Sequence, residues 1–256
     1  MDYILQSLSI GYSHKVIAAD INAQIKGGEL TCLIGRNGTG KSTLMRTLAG
    51  FLKPLGGSAL LDGRDVGRLS PAERSHLISV VLTDRVDIDG MRVKDLVSVG
   101  RQPYTGFFGK MSSDDEEVVN KAIADVGMTD FAGRQVNSLS DGERQKVMIA
   151  KALAQQTPVI YLDEPTAFLD FPSKVEVLLL LRRICQEAEK TIFLSTHDLE
   201  LALQIADCIW LMDAENGMSI GTPKELAQTG VLGKFIERKG ISFDTNTLTI
   251  RIDKTI

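Results

Sequence analysis

Eight consecutive residues, Gly35-Arg36-Asn37-Gly38-Thr39-Gly40-Lys41-Ser42, match the pattern G-x-x-x-x-G-K-[ST]. Glycines let a backbone turn until several N–H groups face one anion. A helix opening near Gly40 points its positive end at the same anion. Lys41 adds a point charge toward the β- and γ-phosphates of a bound nucleotide, and the Ser42 hydroxyl suits Mg2+. Together with Thr43, these residues form the expected nucleotide-binding set. The alternative is a glycine-rich turn with an incidental lysine. The apolar run Leu30-Thr31-Cys32-Leu33-Ile34 before it and the helical pattern after it favour the phosphate loop.

A second run, Val159-Ile160-Tyr161-Leu162, ends in Asp163-Glu164. At the carboxyl end of a strand Asp163 can reach Mg2+ through water. Glu164 is then placed to orient and deprotonate an attacking water. The competing reading is that one acid only caps the next helix; the phosphate loop upstream favours chemistry. A third segment, Leu139-Ser140-Asp141-Gly142-Glu143, carries S-x-x-E, a capping box at a helix start. A helix start with free N–H groups is also an anion site, so both uses are compatible.

At these residues the chain resembles the ATP-binding cassette (ABC) ATPases, whose signature is L-S-G-G-Q. The resemblance covers residues 2 to about 225, with the motifs in the family's order. It implies that Ser140 and Gly142 touch the γ-phosphate of ATP held by a second copy, so that one chain carries half of each site. Asp141 and Glu143 depart from the usual glycine and glutamine; we expect Asp141 to face solvent, where it complements the helix's positive end. The resemblance further implies that Tyr12 stacks on adenine (ordinary packing is the alternative), that Asp170 of Phe168-Leu169-Asp170 crosses a dimer interface, and that His197 meets the γ-phosphate. Where the family has a glutamine touching Mg2+ and the attacking water, this chain has Thr83. We expect Thr83 to serve the metal through a bridging water or a shifted loop, or Asp84 to substitute.

Within the family, Val97-Ser98-Val99-Gly100-Arg101-Gln102-Pro103-Tyr104-Thr105-Gly106 and Thr166-Ala167-Phe168-Leu169-Asp170 look most like the ATPases of iron-siderophore, haem and vitamin B12 importers. That likeness implies an ATPase powered by ATP and Mg2+, acting as a homodimer beneath two polytopic permease subunits fed by an extracytoplasmic substrate-binding protein. The segment 84–106 would hold the membrane subunit, with Tyr104, Phe107 and Phe108 as interface anchors or as local core. The competing class is a soluble ABC ATPase of metal-cluster assembly; the segment after Val97 argues against it.

These residues need a scaffold. Short β-branched runs at Leu30–Ile34, Ile78–Leu82, Val159–Leu162 and Thr191–Leu194 alternate with helical stretches, which predicts βαβ units and a mostly parallel sheet. Ile4, Leu8, Ile10, Ile21 and Ile25 sit in alternating stretches that predict an N-terminal antiparallel β subdomain. The expected fold is an α/β P-loop NTPase core of ABC type over residues 2–225. A helical insertion at about 93–150 interrupts it, and residues 226–256 add a C-terminal helix and a hairpin with Leu248, Ile250 and Ile252 on one face.

Of the 256 residues 43 % are apolar, enough for a sizeable core, and the net charge of −4 argues against a nucleic-acid partner. Cys32, Cys185 and Cys208 have no metal-site spacing and suit a reducing cytosol. No run approaches the roughly 20 apolar residues that span a bilayer, and no secretory signal opens the chain. We expect a cytoplasmic protein, peripheral on the inner face of the membrane.

Overall fold

The computed structural model describes residues 2–13, 15–83, 90–106, 109–213 and 217–252. It divides into two units, residues 1–67 with 191–256 and residues 68–190.

The first unit opens with β1 (Asp2–Tyr12) and β2 (Lys15–Lys26), paired antiparallel as expected. Tyr3, Leu5, Leu8 and Ile10 point inward, and a register shift between Leu5 and Leu8 keeps both on the buried side. Next come β3 (Leu30–Gly35), α1 (Lys41–Leu48), β4 (Gly56–Leu61) and β5 (Arg64–Asp65). β1 is flanked by β2 and β4, and β5 closes the edge, giving one antiparallel sheet. The Tyr3 hydroxyl donates to the Leu48 carbonyl, tying β1 to the end of α1.

The second unit begins with α2 (Pro71–Ser75), whose Ser70–Glu73 capping box and Pro71 fix its start. It continues with β6 (Ile78–Val81), α3 (Val93–Ser98), α4 (Ser113–Asp125), α5 (Asp141–Ala154), β7 (Val159–Leu162) and α6 (Phe171–Ala188). β6 and β7 are parallel, with Val81 opposite Leu162. Val93, Val97, Val119 and Val147 are fully buried where α3, α4 and α5 pack together, each apolar side chain contributing about 2 kcal/mol. Arg101, only 6 % exposed, knits this cluster: its Nε donates to Asp115 at 2.9 Å and its NH1 to the Ala154 carbonyl at 2.8 Å.

The chain re-enters the first unit with β8 (Thr191–Thr196), α7 (Leu199–Ile205), β9 (Cys208–Asp213) and β10 (Gly217–Gly221). β3 lies between β8 and β9, all parallel, with β10 antiparallel on β9. Every residue of β3 and β8 is buried, which is why these strands read as mostly apolar runs without alternation. Phe193 and Trp210 meet edge to face at 5.2 Å within this core. The end comprises α8 (Pro223–Gln228), α9 (Val231–Ile236) and a hairpin of β11 (Ile241–Asp244) and β12 (Thr249–Ile252). The hairpin falls where expected, except that Leu248 lies in the turn at φ +55° and shares no strand face with Ile250 and Ile252. The turn is held by Asp244, whose carboxylate accepts from the Asn246 and Thr247 N–H groups at 3.0 and 3.1 Å. No helix among the described residues is long and apolar enough to cross a membrane.

Candidate nucleotide site

In the first unit, strand register sets the stage. Ile34 pairs with Thr196 on one side and Leu211 on the other, so Gly35 and His197 leave the carboxyl ends of neighbouring parallel strands. Ligands of α/β sheets collect at such ends. A Cβ on Gly35 would stand 2.6 Å from the Met212 carbonyl oxygen, so only glycine lets the loop leave here. Gly38 and Gly40 turn left-handed, at φ +82° and +107°, and a Cβ on Gly40 would strike Ile17 at 2.2 Å. Gly40 is the cap residue of α1 and offers no side chain to its N–H groups, leaving them to an external acceptor.

Lys41 is 7 % exposed, and its ammonium donates to the Gly35 carbonyl at 2.8 Å and the Arg36 carbonyl at 3.4 Å. A buried ammonium beside a loop of turned backbone N–H groups favours binding of an anion there. Thr39 ties the loop shut through a 2.9 Å bond to the Arg36 carbonyl. Arg36, Asn37, Gly38 and Ser42 face outward or line the rim, while Thr43 is buried behind them. Tyr12 is 46 % exposed. Its phenol is held below its usual pKa, first by a hydrogen bond with Thr43 and then, against some burial, by Arg46. Thr43 and Arg46 belong to α1, so the exposed ring lies beside that helix. Gly35, Arg36 and His197 line one cavity of about 290 Å³ together with Phe235 and Arg238 of the C-terminal extension. The Arg36 guanidinium stands 5.8 Å from the centre of the Phe235 ring. Sequence reasoning missed Phe235, Arg238, Ile17 and Met212, because nothing local links these positions to the loop.

In the second unit, β7 delivers the acids. The Asp163 N–H donates to the Val81 carbonyl at 2.9 Å, continuing the ladder by one step. The Thr83 hydroxyl then donates to the Asp163 carbonyl at 2.7 Å. Glu164 is left-handed at φ +47°, and Phe168 likewise at φ +63°. Such conformations are disfavoured for residues with side chains and cluster at functional sites. Asp84 lies outside the described residues, as do Phe107 and Phe108. Tyr104 is 39 % exposed and makes local contacts: its hydroxyl donates to the Gln155 carbonyl at 2.9 Å and Arg101 stacks on its ring at 3.9 Å.

The Ser140 segment forms the expected capping box. Ser140 Oγ accepts from the Glu143 N–H at 3.3 Å, and the Glu143 carboxylate accepts from the Ser140 N–H at 2.8 Å. That N–H, more than the Ser140 hydroxyl, holds the Glu143 carboxyl below its usual pKa. Asp141 is exposed, as expected. Gly142 packs on the start of α6, where an added Cβ would sit 3.3 Å from the Ser173 hydroxyl. Asp170 caps that same helix, accepting from the Ser173 N–H at 3.0 Å. The starts of α5 and α6 therefore lie side by side, with Ser140, Gly142 and Asp170 in one neighbourhood.

A glycine-turned loop after a buried strand, with a buried lysine under it, defines a P-loop nucleotide-binding protein of α/β class. Comparison narrows the class: the ABC transporter family model matches residues 18–167. The achromobactin transport ATP-binding protein of Dickeya dadantii is 40 % identical over 86 % of this chain and 82 % of its own length. The iron(3+)-hydroxamate import ATP-binding protein of Bacillus subtilis is 34 % identical over 89 % and 84 %. Among solved structures, cbiO1 of Clostridium perfringens, part of the ABC transporter complex cbiONQ, superposes with a TM-score of 0.79. It is 31 % identical, over 91 % of this chain and 93 % of that one. The chain belongs to the ABC transporter ATP-binding family, and ATP is its nucleotide.

Proposed function

We propose that this chain is the ATP-hydrolysing subunit of an ABC importer for an iron–siderophore, haem or cobalamin-type ligand. The observation that carries the ATPase reading is Lys41, a buried cation held on the carbonyls of a glycine loop that shares a cavity with His197. The importer reading is supported by relatives that serve achromobactin and iron(3+)-hydroxamate transport. They favour it over the cluster-assembly alternative.

In this reading Tyr12 supports the base, and the loop N–H groups with Lys41 bind the phosphates. Glu164 takes a proton from the attacking water, and His197 fixes the γ-phosphate. Ser42 and Asp163 supply a hydroxyl and a carboxylate, the hard oxygen donors that suit Mg2+, and would hold that ion. When bound, Mg2+ neutralises charge developing on the phosphates. Ser140 and Gly142 of a second copy complete each phosphate site, with Asp170 at the dimer interface. Hydrolysis then loosens the pair, and two membrane permease subunits, supplied by an external binding protein, read that motion. The chain would lie on the cytoplasmic face of the membrane, held there by those subunits.

The test is reconstitution with the permease and binding protein encoded beside it. The reading expects ATP-dependent accumulation of an iron complex or a cobalamin in vesicles, abolished by Glu164→Gln. Accumulation that is indifferent to Glu164→Gln would refute it.

A further inference from the structure

We infer that Thr83 is a positioning residue for Glu164: it holds the peptide between Asp163 and Glu164. The inference rests on the ATPase reading above. β6 and β7 end in register at Val81 and Leu162, and the Asp163 N–H to Val81 carbonyl bond adds the last backbone rung. The next rung is made by a side chain, the Thr83 hydroxyl donating to the Asp163 carbonyl at 2.7 Å.

The consequence falls on Glu164. Its φ of +47° is set by the orientation of the peptide on either side of it. The preceding peptide is fixed by Thr83. The following one is fixed by the Ala167 N–H, which donates to the Glu164 carbonyl at 3.0 Å. Remove the Thr83 hydroxyl and the first peptide can rotate. Glu164, which precedes Pro165, then relaxes toward an extended conformation at negative φ and its carboxylate swings with it. Threonine suits this task because its branched Cβ leaves few rotamers, so a short side chain aims its hydroxyl at one acceptor. The proton of that hydroxyl is given to a backbone oxygen, so we assign the residue to the support of that peptide. A catalytic group displaced by about 1 Å can lose up to about a hundredfold in rate.

Thr83→Val keeps the shape and deletes the hydroxyl; Thr83→Ser keeps the hydroxyl. The experiment is steady-state ATP hydrolysis by the full chain, with ATP and Mg2+ titrated separately and Glu164→Gln alongside. Valine should lower kcat about tenfold or more, with KM for ATP and the half-saturating Mg2+ concentration within about twofold of the parent. Serine should recover kcat to within about threefold. If valine prevents folding, Thr83→Ala carries the same comparison. Three results would overturn the inference: an unchanged kcat without the hydroxyl, a several-fold rise in half-saturating Mg2+, or serine no better than valine. Normal turnover by Glu164→Gln would instead bring down the ATPase reading itself, and this inference with it.

Discussion

The phosphate loop and the acid loop both turn left-handed just past the end of a buried parallel strand, but by opposite means. The phosphate loop uses glycine at each turn, Gly38 at +82° and Gly40 at +107°. The acid loop uses residues with side chains, Glu164 at +47° and Phe168 at +63°. The difference follows from where the chemistry sits. In the proposed reaction phosphate is bound by backbone N–H groups, so a side chain there would only obstruct. In the proposed reaction water is activated by a carboxylate, so Glu164 cannot be glycine and its strained backbone must be held from outside. Thr83 and Ala167 do the holding, through the Asp163 and Glu164 carbonyls.

That contrast can be broken or sharpened by substitution, beginning with the largest effect. Gly40→Ala puts a Cβ 2.2 Å from Ile17 and should weaken ATP binding by about a hundredfold or more, read by calorimetric titration. Gly38→Ala, with nothing within 4 Å of its Cβ, faces only the backbone penalty and should lose about tenfold. Equal losses at the two positions would mean that space plays no part. Glu164→Gly and Glu164→Ala should both be inactive, yet the glycine variant should be more stable by about 1 kcal/mol in urea unfolding. Equal stability would remove the case for strain at Glu164. At the start of α5, Ser140→Ala should cost about 1 kcal/mol through loss of the cap, while Glu143→Gln, which keeps an acceptor for the Ser140 N–H, should cost less than about 0.5 kcal/mol.

A further prediction concerns Asp115, beneath the buried Arg101. The Ser112 N–H, then the Ser112 hydroxyl and the Arg101 guanidinium, hold its carboxyl at about 2, below the ordinary 3.8. A pKa lowered by folding adds stability that is complete above about pH 4 and lost as pH falls toward 2. Asp115→Asn should therefore flatten the acid limb of the pH–stability profile, measured by urea midpoints from pH 6 to pH 2. An unaltered limb would show that this carboxyl does not govern it.

Much of the site was legible in order along the chain. The phosphate loop, the acid pair and the Ser140–Glu143 box are local patterns, and each sits on the element its spacing required. Tyr104 was ambiguous because an aromatic among glycines looks the same whether it faces a partner or Arg101; its contact with Arg101 is set by the fold. Thr83 was legible only as a departure from a family pattern. Its partner is 80 residues away and is set by the parallel register of β6 on β7, which no local spacing encodes. Phe235 is similar: its place under Arg36 depends on how the C-terminal extension folds back, and α9 announces only a helix.

The most direct test of the whole account is ATP hydrolysis by Glu164→Gln, measured together with ATP affinity. The account predicts that affinity is retained while turnover falls by about a hundredfold or more, because the loop binds and the carboxylate reacts. Turnover equal to the parent would contradict it, since the carboxylate that Thr83 and Ala167 flank would then have no part in the chemistry.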